Sequence, residues 1–310
     1  MNNESRWRVE HARHMAAVFS EEEGVCAVVL SGAVAAGQAD IYSETHLRVI
    51  WSALPAPSQQ QRILDALGGV SLYGVEPLEE GVPAEGYAPF LLPDVVSPTP
   101  GGPGYWLSNV PEDWHAAYPV EWENESLQSV ERSLEEALVQ HRPNRAIFDL
   151  LGELQSGTVL CGEALVDDWR QRLACYPDAL RANVVEQAVA ELWQQMRYAR
   201  VLAERGDHIE YVRAATVIAH CLLRTLFAVN GLFSWQETPK RSRTSLARMA
   251  IAPDACYERL CRALVPPLRE GVEGLNALAH ETVSLASEQV GDLQARLARY
   301  LRDEPRSWSA

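Results

Sequence analysis

Several signatures of common enzyme classes are missing from this chain of 310 residues. It has no Walker loop, no dinucleotide-binding glycine fingerprint, no zinc-ligand spacing and no Ser-His-Asp order. Six cysteines are present, but no two have Cys-x-x-Cys spacing and most lie among apolar residues. We therefore expect buried free thiols rather than disulfides or a cysteine metal site.

Long hydrophobic runs are also absent. No apolar stretch approaches the roughly 20 residues that a membrane-spanning helix needs. The N-terminal residues are polar and lack the apolar core of a signal peptide. The sequence therefore predicts a cytoplasmic protein that does not bind a membrane.

Positive charge is scarce in the first part of the chain. Residues 1–130 hold 18 acidic and 5 basic side chains, a formal charge of −13, whereas residues 131–310 hold 24 acidic and 22 basic side chains, a charge of −2. Nucleic-acid binding depends on cations that neutralise phosphates, so we expect no nucleic-acid partner. A bound nucleoside triphosphate would need positive charge from a metal ion or from the second part of the chain.

The spacing of apolar residues changes near residue 124. Before it, short β-branched and aromatic runs predict strands, and two segments predict helices. The strands are expected at 25–30, 47–51, 70–75, 105–110 and 118–122, and the helices at 5–20 and 58–67. After it, helical spacing recurs near 125–139, 144–154, 163–175, 178–204, 207–230, 254–264 and 271–302. This pattern predicts an α+β protein, with a mixed-sheet domain over 1–130 and an all-helical bundle over 131–310.

The most informative stretch is residues 30–49, LSGAVAAGQADIYSETHLRV. It predicts a strand, a turn flanked by Gly32 and Gly37, and a second strand with Glu44 and His46 two residues apart. Both glycines suit a tight turn, since glycine adopts backbone conformations that other residues avoid. Asp40 fits a turn residue better than a metal ligand. The stretch therefore predicts an acid and a histidine beside a tight turn.

These residues resemble the DNA polymerase β-like nucleotidyltransferase superfamily. Within it, the chain is most similar to the bacterial branch with a helical C-terminal domain, which includes the aminoglycoside nucleotidyltransferases. The likeness extends more loosely to residues 146–162 and 226–241. The positions in the first motif that match the family are Gly32, Ala35, Gly37, Asp40 and Ser43.

The resemblance also implies a site. Family members have a Gly-Ser pair after the first strand, an Asp-x-Asp on the second and a third acid on a later strand. Here Ala33 stands in place of the serine, and Glu44 and His46 stand in place of the two aspartates. Glu121 or Glu123 is the candidate for the third acid. The resemblance implies that Glu44, His46, Glu121 and Glu123 are catalytic. If the protein is active, Glu44, His46 and Glu121 would bind a divalent Mg²⁺ or Mn²⁺ ion; otherwise no cofactor is expected.

The exchanged residues weaken the expected chemistry. Nucleotidyl transfer uses two divalent ions, about 3.5–4 Å apart, that clamp the attacking and leaving oxygens. Mg²⁺ requires oxygen ligands in strict octahedral geometry. A histidine nitrogen instead suits zinc, manganese or iron. We therefore expect a diverged protein that is impaired in Mg²⁺-dependent transfer and that still binds a nucleotide or small molecule in a cleft between the domains.

Other interpretations stay open. The altered residues are either a vestigial site or a repurposed centre that binds another metal or performs acid–base chemistry. An active enzyme would move a nucleoside monophosphate to a hydroxyl of a small molecule such as an aminoglycoside. A third alternative is a non-enzymatic protein that binds a partner through its acidic first domain.

Candidate nucleotide-binding groups lie in two places. The backbone amides near Gly32 and Ala33 would bind an anion. The compact basic cluster includes Lys240, Arg241 and Arg243, and it is either a solvated face or a phosphate-binding group.

Overall fold

A computed structural model describes residues 1–71, 86–87, 90–92, 118–234, 242–291 and 293. The helices are α1 (Asn3–Ser20), α2 (Gly32–Ala35), α3 (Pro57–Leu67), α4 (Leu127–Leu138), α5 (Arg145–Ser156), α6 (Glu163–Leu173), α7 (Asp178–Arg205), α8 (His208–Val229), α9 (Ser242–Ala247), α10 (Cys256–Ala263) and α11 (Leu268–Val290). The strands are β1 (Val25–Ser31), β2 (Thr45–Trp51), β3 (Val70–Ser71), β4 (Gly86–Tyr87), β5 (Phe90–Leu92), β6 (Tyr118–Ser126) and β7 (Thr158–Cys161).

The chain divides into two compact units. One comprises Met1–Leu134 with Leu150–Ala174, and the other comprises Glu135–Asp149 with Cys175–Ala310. The sequence-based division at residue 130 assigned 150–174 to the helical part, whereas the structure groups this segment with the sheet. The reason is β7, a short strand between α5 and α6 that pairs with β1.

The sheet of the first unit is mixed. Its strand order is β3-β5-β6-β2-β1-β7, and β4 pairs with β6. The pairing of β2 with β6 is parallel, and the other pairings are antiparallel. The predicted α+β class, a mixed sheet followed by a helical region, is confirmed. The strand predicted at 105–110 lies outside the described residues.

Strands β2 and β6 alternate apolar and polar residues, which gives the sheet two different faces. On one face, Leu47, Val49 and Trp122 are buried in the core of this unit. Helix α1 contributes Phe19 to this core, and the Phe19 ring packs edge-on against Trp122. On the other face of the sheet, β2 carries His46 and Arg48, and β6 carries Glu121, Glu123 and Glu125.

The register of β2 against β6 is held by side chains on the core face. The indole nitrogen of Trp51 donates a hydrogen bond to Asn124 Oδ1 at 2.7 Å, and the hydroxyls of Thr45 and Tyr118 are hydrogen-bonded. A shift by one residue would move every side chain to the opposite face, so these contacts also fix which polar residues become neighbours.

The turn that enters β2 is anchored to α1 by a buried arginine. Arg8 donates to the carbonyl of Ser43 at 2.9 Å, and it is paired with Glu4. Asp40 accepts hydrogen bonds from the backbone of Tyr42 and from the Ser43 hydroxyl. Asp40 is therefore a turn residue, as the sequence predicts, and its contacts fix the approach to β2.

The second unit is built from helices, of which α7, α8 and α11 pack against one another. Helix α8 has the length and mean hydropathy of a membrane span, although the sequence predicted no such run, and 67% of its apolar window is buried. A core helix of a soluble fold has the same properties, so α8 is weak support for a membrane span.

Close packing of α5 on the sheet depends on Gly157. A Cβ atom at this position would lie 2.5 Å from Val29 Cγ1, 2.6 Å from the Glu153 carbonyl oxygen and 2.8 Å from the Leu30 carbonyl oxygen. Two of these three neighbours are backbone atoms, which cannot rotate away. The end of α5, and with it Glu153, is therefore held against β1 by the absence of a side chain.

We expect Gly157→Ala to lower the free energy of unfolding by about 1–3 kcal/mol, because the added methyl group overpacks this contact. Gly274→Ala is the matched control. Gly274 lies within α11, and a Cβ atom there would have no neighbour within 4 Å. It should be neutral or stabilising by up to about 1 kcal/mol. Chemical denaturation of both variants checks this, and equal effects would contradict it.

Candidate functional site

The charged face of the sheet brings a histidine and an arginine next to three acids. In the parallel register, His46 is opposite Glu121 and Arg48 is opposite Glu123. Two residues further along, Ile50 is opposite Glu125. Since neighbouring strand positions share a face, the alternating residues of β2 and β6 form one charged surface.

His46 contacts acids through both of its ring nitrogens. Its Nε2 lies 3.1 Å from Glu123 Oε1, and its Nδ1 lies 3.5 Å from Glu153 Oε1 and 3.9 Å from Glu121 Oε2. Glu153 comes from α5, which covers this side of the sheet near β1. The imidazole is therefore surrounded by three carboxylates from two elements.

Arg48 contacts the same carboxylates through their other oxygens. Its Nε donates to Glu153 Oε2 at 2.6 Å, and its Nη2 is paired with Glu123 Oε2. Its Nη1 lies 3.4 Å from Glu125 Oε2. Since the arginine side chain is only 7% exposed, these three acids are held around a nearly buried cation.

The surroundings shift the pKa values of His46 and Glu123 in opposite directions. Burial lowers the pKa of His46, but the contact with Glu123 and the charge of Glu153 outweigh burial and raise it above its usual 6.5. Burial raises the pKa of Glu123, but the contact with His46 and the charge of Arg48 lower it to about 2. The geometry thus favours an ionised Glu123 beside a protonated His46.

Two buried polar atoms here have no hydrogen-bond partner among the described residues. They are His46 Nε2 and the hydroxyl of Ser31. The 3.1 Å contact of Nε2 with Glu123 is close, but its direction falls short of hydrogen-bond geometry. Ser31 is directly opposite His46 on β1 and is 2% exposed. These atoms retain capacity for a further ligand.

The two-Mg²⁺ arrangement of nucleotidyltransferases does not fit these residues. His46, which the sequence resemblance places at the second aspartate position, offers a nitrogen that is a poor ligand for Mg²⁺. In addition, Glu123 and Glu153 each have one oxygen against the Arg48 guanidinium. A pair of dications would have to share these carboxylates with a fixed positive charge that repels them.

The structure brings together some of the residues predicted from sequence. His46, Glu121 and Glu123 are neighbours, as the resemblance implies. Glu44 is half-buried in the turn before β2. Within the described part of the chain, the only set of three or more potential ligands with all donor atoms within 4.8 Å of one another is His46, Glu123 and Glu153. Neither Glu44 nor Glu121 belongs to this set.

The predicted nucleotide-binding residues are on other elements. Gly32 begins α2 with φ of +67°, a conformation that favours glycine, and Ala33 follows it. Arg243 belongs to the second unit, where it lies 3.5 Å from Glu258 and stacks on Tyr257. Lys240 and Arg241 lie outside the described residues. Nucleotide binding by these groups stays a prediction.

Sequence reasoning missed Arg48, Glu125 and Glu153. The first two could have been found, because they continue the alternation that already includes His46 and Glu123. Nothing in the sequence near Glu153 indicated a role at this site. Glu153 lies on α5, and α5 is placed over the sheet by the strand that follows it, β7, which pairs with β1.

We expect Arg48→Met to lower the free energy of unfolding by about 2–4 kcal/mol at pH 7, because partly buried carboxylates lose their cation. The folded-state pKa of Glu123 is lowered, so its stabilising contribution is present above the unfolded value of 4.5 and is lost as the pH falls towards about 2. The effect of the substitution should therefore shrink below pH 5.

Urea denaturation of wild type and variant between pH 3 and pH 7 measures this difference. Arg62→Met is the matched control, because Arg62 is 61% exposed and pairs with Glu22. It should cost less than about 1 kcal/mol. A loss for Arg48→Met that is equally small, or that does not change with pH, would contradict the assignment.

The chain is similar to a family of unknown function and to a solved structure. A family described as a domain of unknown function, DUF4037, matches residues 146–237. No curated protein matches the chain significantly. A crystal structure of a nucleotidyltransferase-like protein from Exiguobacterium sibiricum 255-15 is similar, with 15% sequence identity, a TM-score of 0.40 and coverage of 96% of this chain and 81% of that chain. At this level the likeness concerns the fold only coarsely and says nothing of substrate or activity.

Proposed function

We propose that this chain is a nucleotidyltransferase-like protein that has lost Mg²⁺-dependent nucleotidyl transfer. One observation carries the proposal. The two carboxylates closest to His46, those of Glu123 and Glu153, each have one oxygen near the imidazole and the other paired with Arg48. Two side-chain cations thus stand among the acids where the reaction requires two metal ions.

The chemistry explains why this arrangement opposes transfer. Nucleotidyl transfer depends on positioning and on neutralising charge at the reacting phosphate. A metal ion can bind a phosphate oxygen directly and lower the pKa of the attacking hydroxyl. The Arg48 guanidinium does neither, since three carboxylates already surround it and it is nearly buried. Releasing it would leave those acids without their cation.

The retained activity in this proposal is binding of a nucleotide or small molecule without transfer. Its support is the turn after β1, where Gly32 and Gly37 have φ of +67° and +72°. Both glycines thus have the left-handed conformation that a tight turn requires, although Ala33 lacks the hydroxyl that would contact a triphosphate. An active transferase and a non-enzymatic partner-binding protein are the alternatives.

We expect no release of pyrophosphate when the protein is incubated with ATP, GTP, CTP or UTP, Mg²⁺ and a panel of small hydroxyl acceptors. Any thermal stabilisation by a nucleotide should be the same with and without Mg²⁺. A ligand at 100 times its Kd would add about 2.7 kcal/mol. The absence of any shift with all four nucleotides would favour the partner-binding alternative.

Pyrophosphate release that requires Mg²⁺ and disappears in Glu123→Gln would overturn the proposal. Glu22→Gln serves as the control, because Glu22 is on the same unit but pairs with Arg62 and lies outside the charged cluster. Release that both variants retain would not depend on Glu123.

A further inference from the structure

We propose that His46, Glu123 and Glu153 bind a single divalent transition-metal ion of the Zn²⁺ or Mn²⁺ class. In this site, Arg48 orients the two carboxylates. This site rests on the proposed function, because one ion can bind here only if the two-Mg²⁺ site has been lost. It differs from the site that the sequence resemblance implies, because the helix residue Glu153 takes part and Glu44 does not.

The donor atoms are close enough for one ion. One nitrogen of His46 and one oxygen from each acid lie within 4.8 Å of one another. Zinc binds histidine nitrogen and carboxylate oxygen at about 2.0–2.2 Å, so donors of one ion lie about 3–4 Å apart. His46 Nε2 lies 3.1 Å from Glu123 Oε1, whereas the 3.5 Å contact with Glu153 Oε1 is made by the other ring nitrogen, Nδ1. A side-chain movement that brings one ring nitrogen and both oxygens around the ion would complete the site.

Arg48 holds the carboxylates in a suitable orientation. It pairs with Oε2 of Glu123 and with Oε2 of Glu153, which leaves Oε1 of each acid towards His46. Metal ligands are commonly fixed in this way by a second layer of hydrogen bonds. The same arginine that opposes a pair of ions therefore positions the donors for one.

The Ser31 hydroxyl supports a ligand independently of the acids. It is buried without a partner among the described residues and lies opposite His46, whose Nε2 contacts Glu123 at 3.1 Å but lacks a well-formed hydrogen bond. Leaving such atoms without partners is costly. A metal ion on the imidazole, with a water molecule near Ser31, would satisfy both.

The donor set selects the class of metal. One nitrogen and two carboxylate oxygens suit zinc or manganese, whereas Mg²⁺ prefers an all-oxygen octahedron. Three protein ligands also leave at least one position of the ion open, as in zinc sites that bind water or a substrate.

The test is calorimetric titration of metal-free full-length protein with Zn²⁺, alone and in excess Mg²⁺. We expect one ion per chain at this site and no competition by Mg²⁺. Glu153→Gln and His46→Gln should each weaken Zn²⁺ binding by more than about 100-fold. A loss of this size exceeds the roughly 10–100-fold effect of removing a residue that only supports a ligand, so it would indicate direct binding. Glu125→Gln is the matched control, since Glu125 also pairs with Arg48 but is not in the ligand set. It should change the affinity by less than about tenfold.

The wild-type chain gives a second readout that does not depend on the folding of variants. Nitrogen-15 chemical shifts should show one His46 ring nitrogen moving on addition of Zn²⁺. Unchanged shifts, or Zn²⁺ binding that survives both ligand substitutions, would overturn the proposal. Failure to bind Zn²⁺ would leave the loss of Mg²⁺-dependent transfer standing, whereas Mg²⁺-dependent turnover would refute that loss whether or not Zn²⁺ binds.

Discussion

The structure of the charged face depends on one interaction, the placement of the Arg48 guanidinium among Glu123, Glu125 and Glu153. A nearly buried arginine is stable only with its partners in place, and these acids are stable this close together only with a cation between them. This mutual dependence joins two strands and a helix. It also determines which oxygens of the acids remain available to other groups.

The interaction follows from the pairing of β2 with β6. Parallel pairing places His46 and Arg48 beside Glu121 and Glu123, while the alternate residues enter the hydrophobic core. Because burial on the core face fixes the register, it also fixes which residues are neighbours on the polar face. A fold that is stabilised by ordinary apolar packing thereby holds a cluster of charges in one arrangement.

Much of this arrangement could be predicted from particular residues. The β-branched runs and the turn around Gly32 indicated the first two strands. The acids that flank Trp122 were expected on a later strand, and β6 carries both of them. The role of Glu153 could not be predicted, because it depends on α5 returning to the sheet and on Gly157 permitting close contact with β1. Long-range packing of this kind leaves no periodic signal. Strand β7 was also missed, because a strand of four residues between two helices gives only a weak pattern in the sequence.

Our central proposal is that His46 and Arg48 occupy the region that corresponds to the two-metal site of nucleotidyltransferases. A crystal grown with Mn²⁺ and a non-hydrolysable nucleoside triphosphate would test it through anomalous scattering. We expect at most one Mn²⁺ peak, next to His46, with the Arg48 guanidinium still between Glu123 and Glu153. Two peaks about 3.5–4 Å apart, with Arg48 displaced from these acids, would contradict the claim.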